Sequence, residues 1–224
     1  MTTSGAGTPS ATAIERAMKE FALQVDAQQV LKIQQYTSLL MAWNEKVNLT
    51  AIRDPLEILY RHFCESMYGA TFLPVEKCRL ADVGSGGGFP GLPLKILRPG
   101  WEVFLMESNV KKATFLAEVI RELGLSDAKV LVSRFEELGE EVAPLDVVCS
   151  RALGDFRPFL AWAASPQVAA RQALLWIGGR DLEEVKSLPG WVWHPPKAMP
   201  HSIQRLLLLG SRSETGNPEA APAV

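Results

Sequence analysis

Residues 80–94 read Leu-Ala-Asp-Val-Gly-Ser-Gly-Gly-Gly-Phe-Pro-Gly-Leu-Pro-Leu, an apolar strand running into a glycine-dense turn with a helix start behind it. Few folds tolerate that order. Glycine admits φ > 0 in a tight strand-to-helix turn. It also lacks the Cβ that would hold a ligand away from the main chain. Pro90 in the first helical turn gives up a donor that would be unpaired there anyway. The N–H groups behind such a turn then favour negative charge.

Two frames fit the glycines. Asp82-x-Gly84-x-Gly86-x-Gly88 is the form taken for S-adenosylmethionine, with Asp82 placed for the ligand's α-amino group, directly or through water. Gly86-x-Gly88-x-x-Gly91 fits the dinucleotide fingerprint. The first frame is favoured because Gly84 follows the strand residue Val83 directly. A second strand, 101–106, ends at Glu107, roughly 20 residues after the loop, where an acidic side chain grips ribose hydroxyls.

From Leu80 onward, strands near 80–84, 102–106, 129–132, 145–150 and 173–177 alternate with helical segments, which predicts an α/β fold. Ser108 is expected to cap a helix with Phe115, Leu116, Val119, Ile120 and Leu123 on one face, stopped by Gly124. The stretches 191–194 and 203–209 follow each other without a long helix and are expected to pair antiparallel. A mostly parallel, seven-stranded sheet with a reversed last strand is the usual finish of Rossmann-like class I methyltransferases, and dehydrogenase sheets lack it. Before this domain, 77–210, a helical segment spans 13–76. In it Leu31, Ile33, Tyr36, Leu39, Leu40 and Trp43 recur near helical spacing. Asp54 can cap a further helix that starts at Pro55. The tails 1–12 and 211–224 are small and polar, expected to be disordered.

The chain is 47% hydrophobic and 21% charged, a globular composition. No apolar run reaches the ~20 residues of a membrane span. The N-terminus has no secretory pattern, so a cytoplasmic location is expected. Cys64, Cys78 and Cys149 are few and widely spaced, which suits reduced thiols and no metal site. Net charge is −2, so a nucleic-acid partner would have to meet a local basic patch.

Ligands of open α/β sheets sit at the carboxyl ends of the strands. After the third strand, Phe135 can stack on adenine and the backbone at Phe135–Glu136 can read its edge. After the fourth, Arg151 can pair with a carboxylate or phosphate. That strand end reads Ser-Arg-Ala-Leu and lacks the Asn/Asp-Pro-Pro-aromatic motif of nucleic-acid amino methylation. Cys149 could serve as the nucleophile of a pyrimidine C5 enzyme, but no activating base is evident beside it, and a packed strand thiol is the simpler reading.

With these residues in view, the chain resembles the ribosomal RNA small subunit methyltransferase G family, also called glucose-inhibited division protein B. The likeness rests on Trp43-Asn44, Asn48-Leu49-Thr50, Arg61-His62, Asp82 through Leu94, Glu107-Ser108 with Lys111, and Ser150-Arg151-Ala152. It implies methyl transfer from S-adenosylmethionine to N7 of one guanine in 16S rRNA, with the rRNA or the small ribosomal subunit as partner. A monomer is expected. It implies cofactor contacts at Gly84, Phe89, Phe135, Glu136 and Arg151, with Glu107 at the ribose. Together with the glycine frame, the expected cofactor set is Asp82, Gly84, Gly86, Gly88, Phe89, Glu107, Phe135, Glu136 and Arg151. Arg151, Arg61 and His62 are the candidates for orienting the target base, and no general base is required.

Three positions depart from the family pattern. Ile177 stands where a lysine is usual, Leu206 follows Arg205 where a histidine is usual, and Glu65 replaces an aspartate. Restoring lysine at 177 is therefore expected to raise activity. A weakly active or non-catalytic RNA-binding relative, a small-molecule methyltransferase and a nicotinamide oxidoreductase are the alternatives.

Overall fold

The computed structural model describes residues 7–73, 76–151 and 153–213. The tail expectations for 1–6 and 214–224, and Ala152, lie outside them. Within them the N-terminal tail is shorter than expected. The Ser10 side chain accepts the Ala13 N–H at 3.2 Å and starts α1 (Ala11–Glu20). Asp26 and Gln29 form a reciprocal capping box that opens α2 (Ala27–Asn44). Asp54 caps α3 (Pro55–Ile58), as its spacing from Pro55 predicts. The chain then widens into one π-helical stretch, Leu59–Cys64, before tightening into α4 (Glu65–Tyr68) and a 3₁₀ turn, Gly69–Phe72. Such local widening often marks a functional segment.

Strands β1 (Arg79–Val83), β2 (Glu102–Met106), β3 (Ala128–Leu131), β4 (Val147–Arg151) and β5 (Gln172–Gly178) are joined by α5 (Gly91–Leu97), α6 (Val110–Glu122) and α7 (Phe156–Ala164). After β5 come α8 (Leu182–Lys186), β6 (Trp191–Trp193), β7 (Lys197–Ala198) and β8 (Arg205–Arg212). The sheet order is β3-β2-β1-β4-β5-β8-β6, parallel through β5, with β8 antiparallel to both β5 and β6. The expected sheet of seven gains an eighth, two-residue strand, because the link between β6 and β8 also pairs with β8. β8 runs through Arg212, past the expected tail boundary at 211.

Strand residues alternate between two cores, as the pleat requires. Leu80, Val103, Leu105, Val147, Cys149, Leu174 and Trp176 face α1, α2, α5, α6 and the 55–72 helical run. Ala81, Val83, Phe104, Met106, Val148, Leu175 and Ile177 face α7 and α8. The N-terminal segment is therefore one wall of the sheet's own core. In α2 the buried face is Val30, Ile33, Tyr36, Thr37, Leu40 and Asn44, and Leu31, one position off that stripe, is 52% exposed. In α6 the cap is Asn109, not Ser108, because the Glu107 carboxylate draws in the Asn109 N–H and aims the Asn109 side chain at Lys111 and Lys112.

Candidate functional site

The end of β2 clamps the glycine loop. Gly84 and Ser85 donate to the Met106 carbonyl at 2.9 and 3.1 Å. Gly86 donates to Oε2 of Glu107 at 2.9 Å, and Oε1 accepts from Asn109 at 2.8 Å. Gly88 has φ +87°, and a Cβ there would overlap the Tyr36 hydroxyl. That hydroxyl donates to the Gly87 carbonyl. Helix α2 thus holds the loop from the side opposite β2, and Gly88 serves this close approach.

Asp82 and the start of α5 differ from the sequence reading. Asp82 shares a strand face with Leu80, so its side chain turns under α5 and is fully buried. Oδ2 accepts the Gly91 N–H at 2.9 Å. Leu92 and Leu94 donate to the carbonyls of Gly88 and Pro90, and Pro93 has no N–H. Pro90 lies just before the helix rather than in its first turn. The helix start and Asp82 Oδ2 are thus engaged with groups of the chain itself. Burial lifts Asp82 to about 7, opposed by its hydrogen bonds and reinforced by the charge of Glu107.

At the carboxyl ends of β1 and β2 a cavity of ≈ 190 Å³ is lined by Val83, Gly84, Met106, Glu107, Ser108, Ser133, Arg134, Phe135, Glu136 and Leu153. It brings together Gly84, Glu107, Phe135 and Glu136 from the expected set. Phe135 is half-buried, edge-on to Phe159 and Trp162 at 6.1 and 5.4 Å. Its ring is therefore fixed from behind while it borders the cavity. Glu107 is nearly buried and spends one lone pair of each oxygen on backbone N–H groups, leaving the others for a donor such as a diol.

A second cavity, ≈ 330 Å³, opens at the ends of β4 and β5. Leu153 lines both. Arg61 and Arg151 stand here, so Arg151 belongs to this cavity and not to the first. Of its other polar members, the sequence marked Glu65 and Arg205 only as positions in the family pattern, without a role, and Asp181 not at all. Glu65 is 2% exposed. Its Oε1 accepts from Arg205 Nε at 2.9 Å and pairs with Nη2 at 2.7 Å. Its Oε2 forms a longer ion pair with Arg151 Nη2 at 3.8 Å, beyond hydrogen-bond reach, and among the described residues neither it nor Arg151 Nη1 has a hydrogen-bond partner. Burial brings Arg151 down to about 10; the Glu65 carboxylate opposes that shift and the neighbouring arginines add to it. Arg61 pairs with Glu57 at 2.8 Å.

Phe89 and His62 lie outside both cavities. The Phe89 ring is sandwiched between Tyr36 (5.3 Å, 2° between planes) and His62 (4.5 Å, 19°). His62 Nε2 is 2.7 Å from Thr50 Oγ1. Burial, then the charges of Arg151 and Arg61, lowers His62 to about 3, so it is neutral near pH 7. These residues build the wall behind the loop. Cys149 is buried beneath Asp82 with its thiol pushed well above the usual value, first by burial and then by the Asp82 charge, so it offers no thiolate nucleophile. Among the described residues no group of three or more metal-ligating side chains occurs, and no helix is long and apolar enough to cross a membrane.

The chain is similar to solved methyltransferases in fold. A SAM-dependent methyltransferase from Aquifex aeolicus aligns with TM-score 0.57 and 16% identity over 74% of this chain and 97% of that one. M. jannaschii TYW2 in complex with AdoMet aligns with TM-score 0.51 and 15% identity, covering 66% and 75%. Sequence likeness is far closer to proteins named ribosomal RNA small subunit methyltransferase G. The one from Dichelobacter nodosus is 40% identical over 68% of this chain and 71% of its own length. The one from Xanthomonas euvesicatoria pv. vesicatoria is 38% identical over 80% and 82%. The family description GidB, rRNA small subunit methyltransferase G, matches residues 29–190. The sheet order, the clamped glycine loop and these likenesses agree, and the chain belongs to the rRNA small subunit methyltransferase G family.

Proposed function

We propose that the protein methylates N7 of a guanine in 16S rRNA, with S-adenosylmethionine as donor and the RNA of the small ribosomal subunit as substrate. The observation that carries this reading is the pair of cavities divided by Leu153, one suited to an adenosine and one to a second flat polar ligand. The first fits the cofactor by its donor set. Glu107 would hold the ribose hydroxyls, Phe135 would flank the adenine, and Gly84 leaves the loop surface without a side chain. When bound, S-adenosylmethionine supplies an electrophilic methyl on its sulfonium.

The residues need do little else. Guanine N7 has a free lone pair and carries no proton. No base has to remove one, which agrees with a His62 that is turned away and a Cys149 that is buried. The work left to the chain is orientation. Glu107 and Tyr36 fix the loop, the Leu153 wall sets the approach, and Arg151 and Arg61 supply donors and positive charge beside it.

The test uses small-subunit RNA from a strain lacking the protein, both bare and as particles, incubated with purified protein and methyl-labelled S-adenosylmethionine. Mass spectrometry of the digest should find one 7-methylguanosine per RNA, and the preferred form identifies the substrate. Cofactor binding without any labelled RNA would overturn the catalytic reading and leave a non-catalytic RNA-binding member of the family.

A further inference from the structure

We infer that Glu65 is the specificity-determining residue of the second cavity, its free Oε2 accepting the N1–H and the N2 amino group of the target guanine while Arg151 Nη1 donates to O6. The inference rests on the guanine-methylating reading above.

A carboxylate this deeply buried is costly unless its oxygens are satisfied. Here only one is. Arg205 takes Oε1 with two donors, and Oε2 is left 3.8 Å from Arg151, without a hydrogen bond. Arg151 Nη1, also buried, is free in the same way. Among the described residues neither Glu65 Oε2 nor Arg151 Nη1 has a hydrogen-bond partner, and both atoms are closed to solvent in the ligand-free chain, so the proposed guanine engages them as the two side chains turn into the cavity they line.

The walls narrow the choice. Leu153, Phe156, Trp176 and Ile177 supply apolar surface that suits a flat ring, among the charged groups of Arg61, Asp181 and Arg205. The Trp176 indole is itself fixed, donating to the Glu65 carbonyl at 2.7 Å. Guanine presents O6, N1–H and N2–H₂ in a row, and Oε2 has two lone pairs for the two donors. Adenine offers only one donor on that edge, beside an N1 that would be repelled by a carboxylate. The π-helical stretch Leu59–Cys64 carries Arg61 and α4 opens at Glu65 directly behind it, so both groups reach the same cavity from the junction of the two.

Glu65→Gln reverses the edge. Arg205 needs an acceptor, so the amide oxygen faces it and the NH₂ is left toward the cavity. Full-length protein would be assayed on particles whose RNA carries guanine or, by ligation of a synthetic segment, inosine at the position that the wild type methylates. Inosine lacks only the N2 amino group. The wild type should lose about tenfold or more in kcat/KM on inosine, as expected for a hydrogen bond to a charged acceptor. In Glu65→Gln the guanine rate should fall far more than the inosine rate, bringing their ratio close to one. Glu65→Asp, which keeps the carboxylate, should keep discrimination. Equal falls on both substrates, with the ratio unchanged, would reduce Glu65 to a support for Arg151 and Arg205 and overturn the inference. A wild type that forms no 7-methylguanosine would instead overturn the functional reading.

Discussion

Oε2 of Glu107 accepts the Gly86 N–H at 2.9 Å, so the residue that closes β2 also fixes the shape of the loop that closes β1. The carboxylate does this from the floor of the first cavity, with lone pairs left over. Glu107→Gln keeps the size but turns one acceptor into a donor. Calorimetric titration with S-adenosylmethionine should show affinity weakened by about ten- to a hundredfold, the range for hydrogen bonds to a charged group. Unchanged affinity would mean that Glu107 acts on the loop alone.

Tyr36 reaches the loop from the other side. Its hydroxyl is buried, and removing it leaves the Gly87 carbonyl without this partner. Tyr36→Phe keeps the stack on Phe89 and should lower unfolding free energy by ~1–3 kcal/mol in urea melts. It should also weaken cofactor binding, since the loop loses one of its two clamps. A loss of stability with full affinity would separate the core role of α2 from the site.

Asp82 and His62 pull the pH dependence of stability in opposite directions. The ordinary Asp value is 3.8, and burial lifts Asp82 to about 7. Between those values the folded chain holds a proton that the unfolded chain releases, so stability falls as pH rises through the window. His62 is lowered from 6.5 to about 3, so the unfolded chain holds the proton there and stability rises with pH. Asp82→Asn removes the first contribution and keeps an acceptor for the Gly91 N–H. The variant's unfolding free energy from urea melts should climb more steeply between pH ~4.5 and ~6.5, by up to ~1.4 kcal/mol per pH unit. An unchanged slope would mean that the folded protein keeps Asp82 charged across that range.

What the sequence made legible was local. The glycine loop, Glu107 and the β-α alternation each declare themselves within a few residues or at a fixed interval, because turn sterics and strand periodicity act at that range. Contacts across the chain were not legible. Asp82 has the right residue type at a strand end, but the pleat turns it under α5, and only the Gly91 contact reveals that. Phe89 and His62 stack on each other from segments 27 positions apart. Glu65 meets Arg205 across 140 positions. No pattern in either neighbourhood marks these meetings, and that is why the second cavity's acceptor was given no role beforehand.

The three cysteines should be inert. Burial, before any neighbouring charge, pushes Cys78 up to about 12 and raises Cys64 and Cys149 further from the ordinary thiol value. A thiol-disulfide reagent at neutral pH should label none of them within minutes in the folded protein and all after denaturation. Fast labelling of Cys149 in the native state would revive it as a nucleophile and argue against a reaction that needs none.

Ile177 tests whether the rim of the second cavity meets the RNA backbone. It pairs with Leu206 across β5 and β8, packs in the α7–α8 core and borders the cavity beside Asp181. A lysine there can lay its stem where the isoleucine packs and carry the ammonium to the rim. Ile177→Lys should cost ~1–3 kcal/mol of stability, the usual range for a core substitution. If a phosphate passes that rim, the added charge should raise kcat/KM on particles about fivefold. It should also steepen the dependence of log affinity on log salt by about one unit. Both responses are needed: a faster rate with an unchanged salt slope would point to base positioning. No change in either would show that the RNA backbone enters elsewhere and that the missing lysine does not limit this chain.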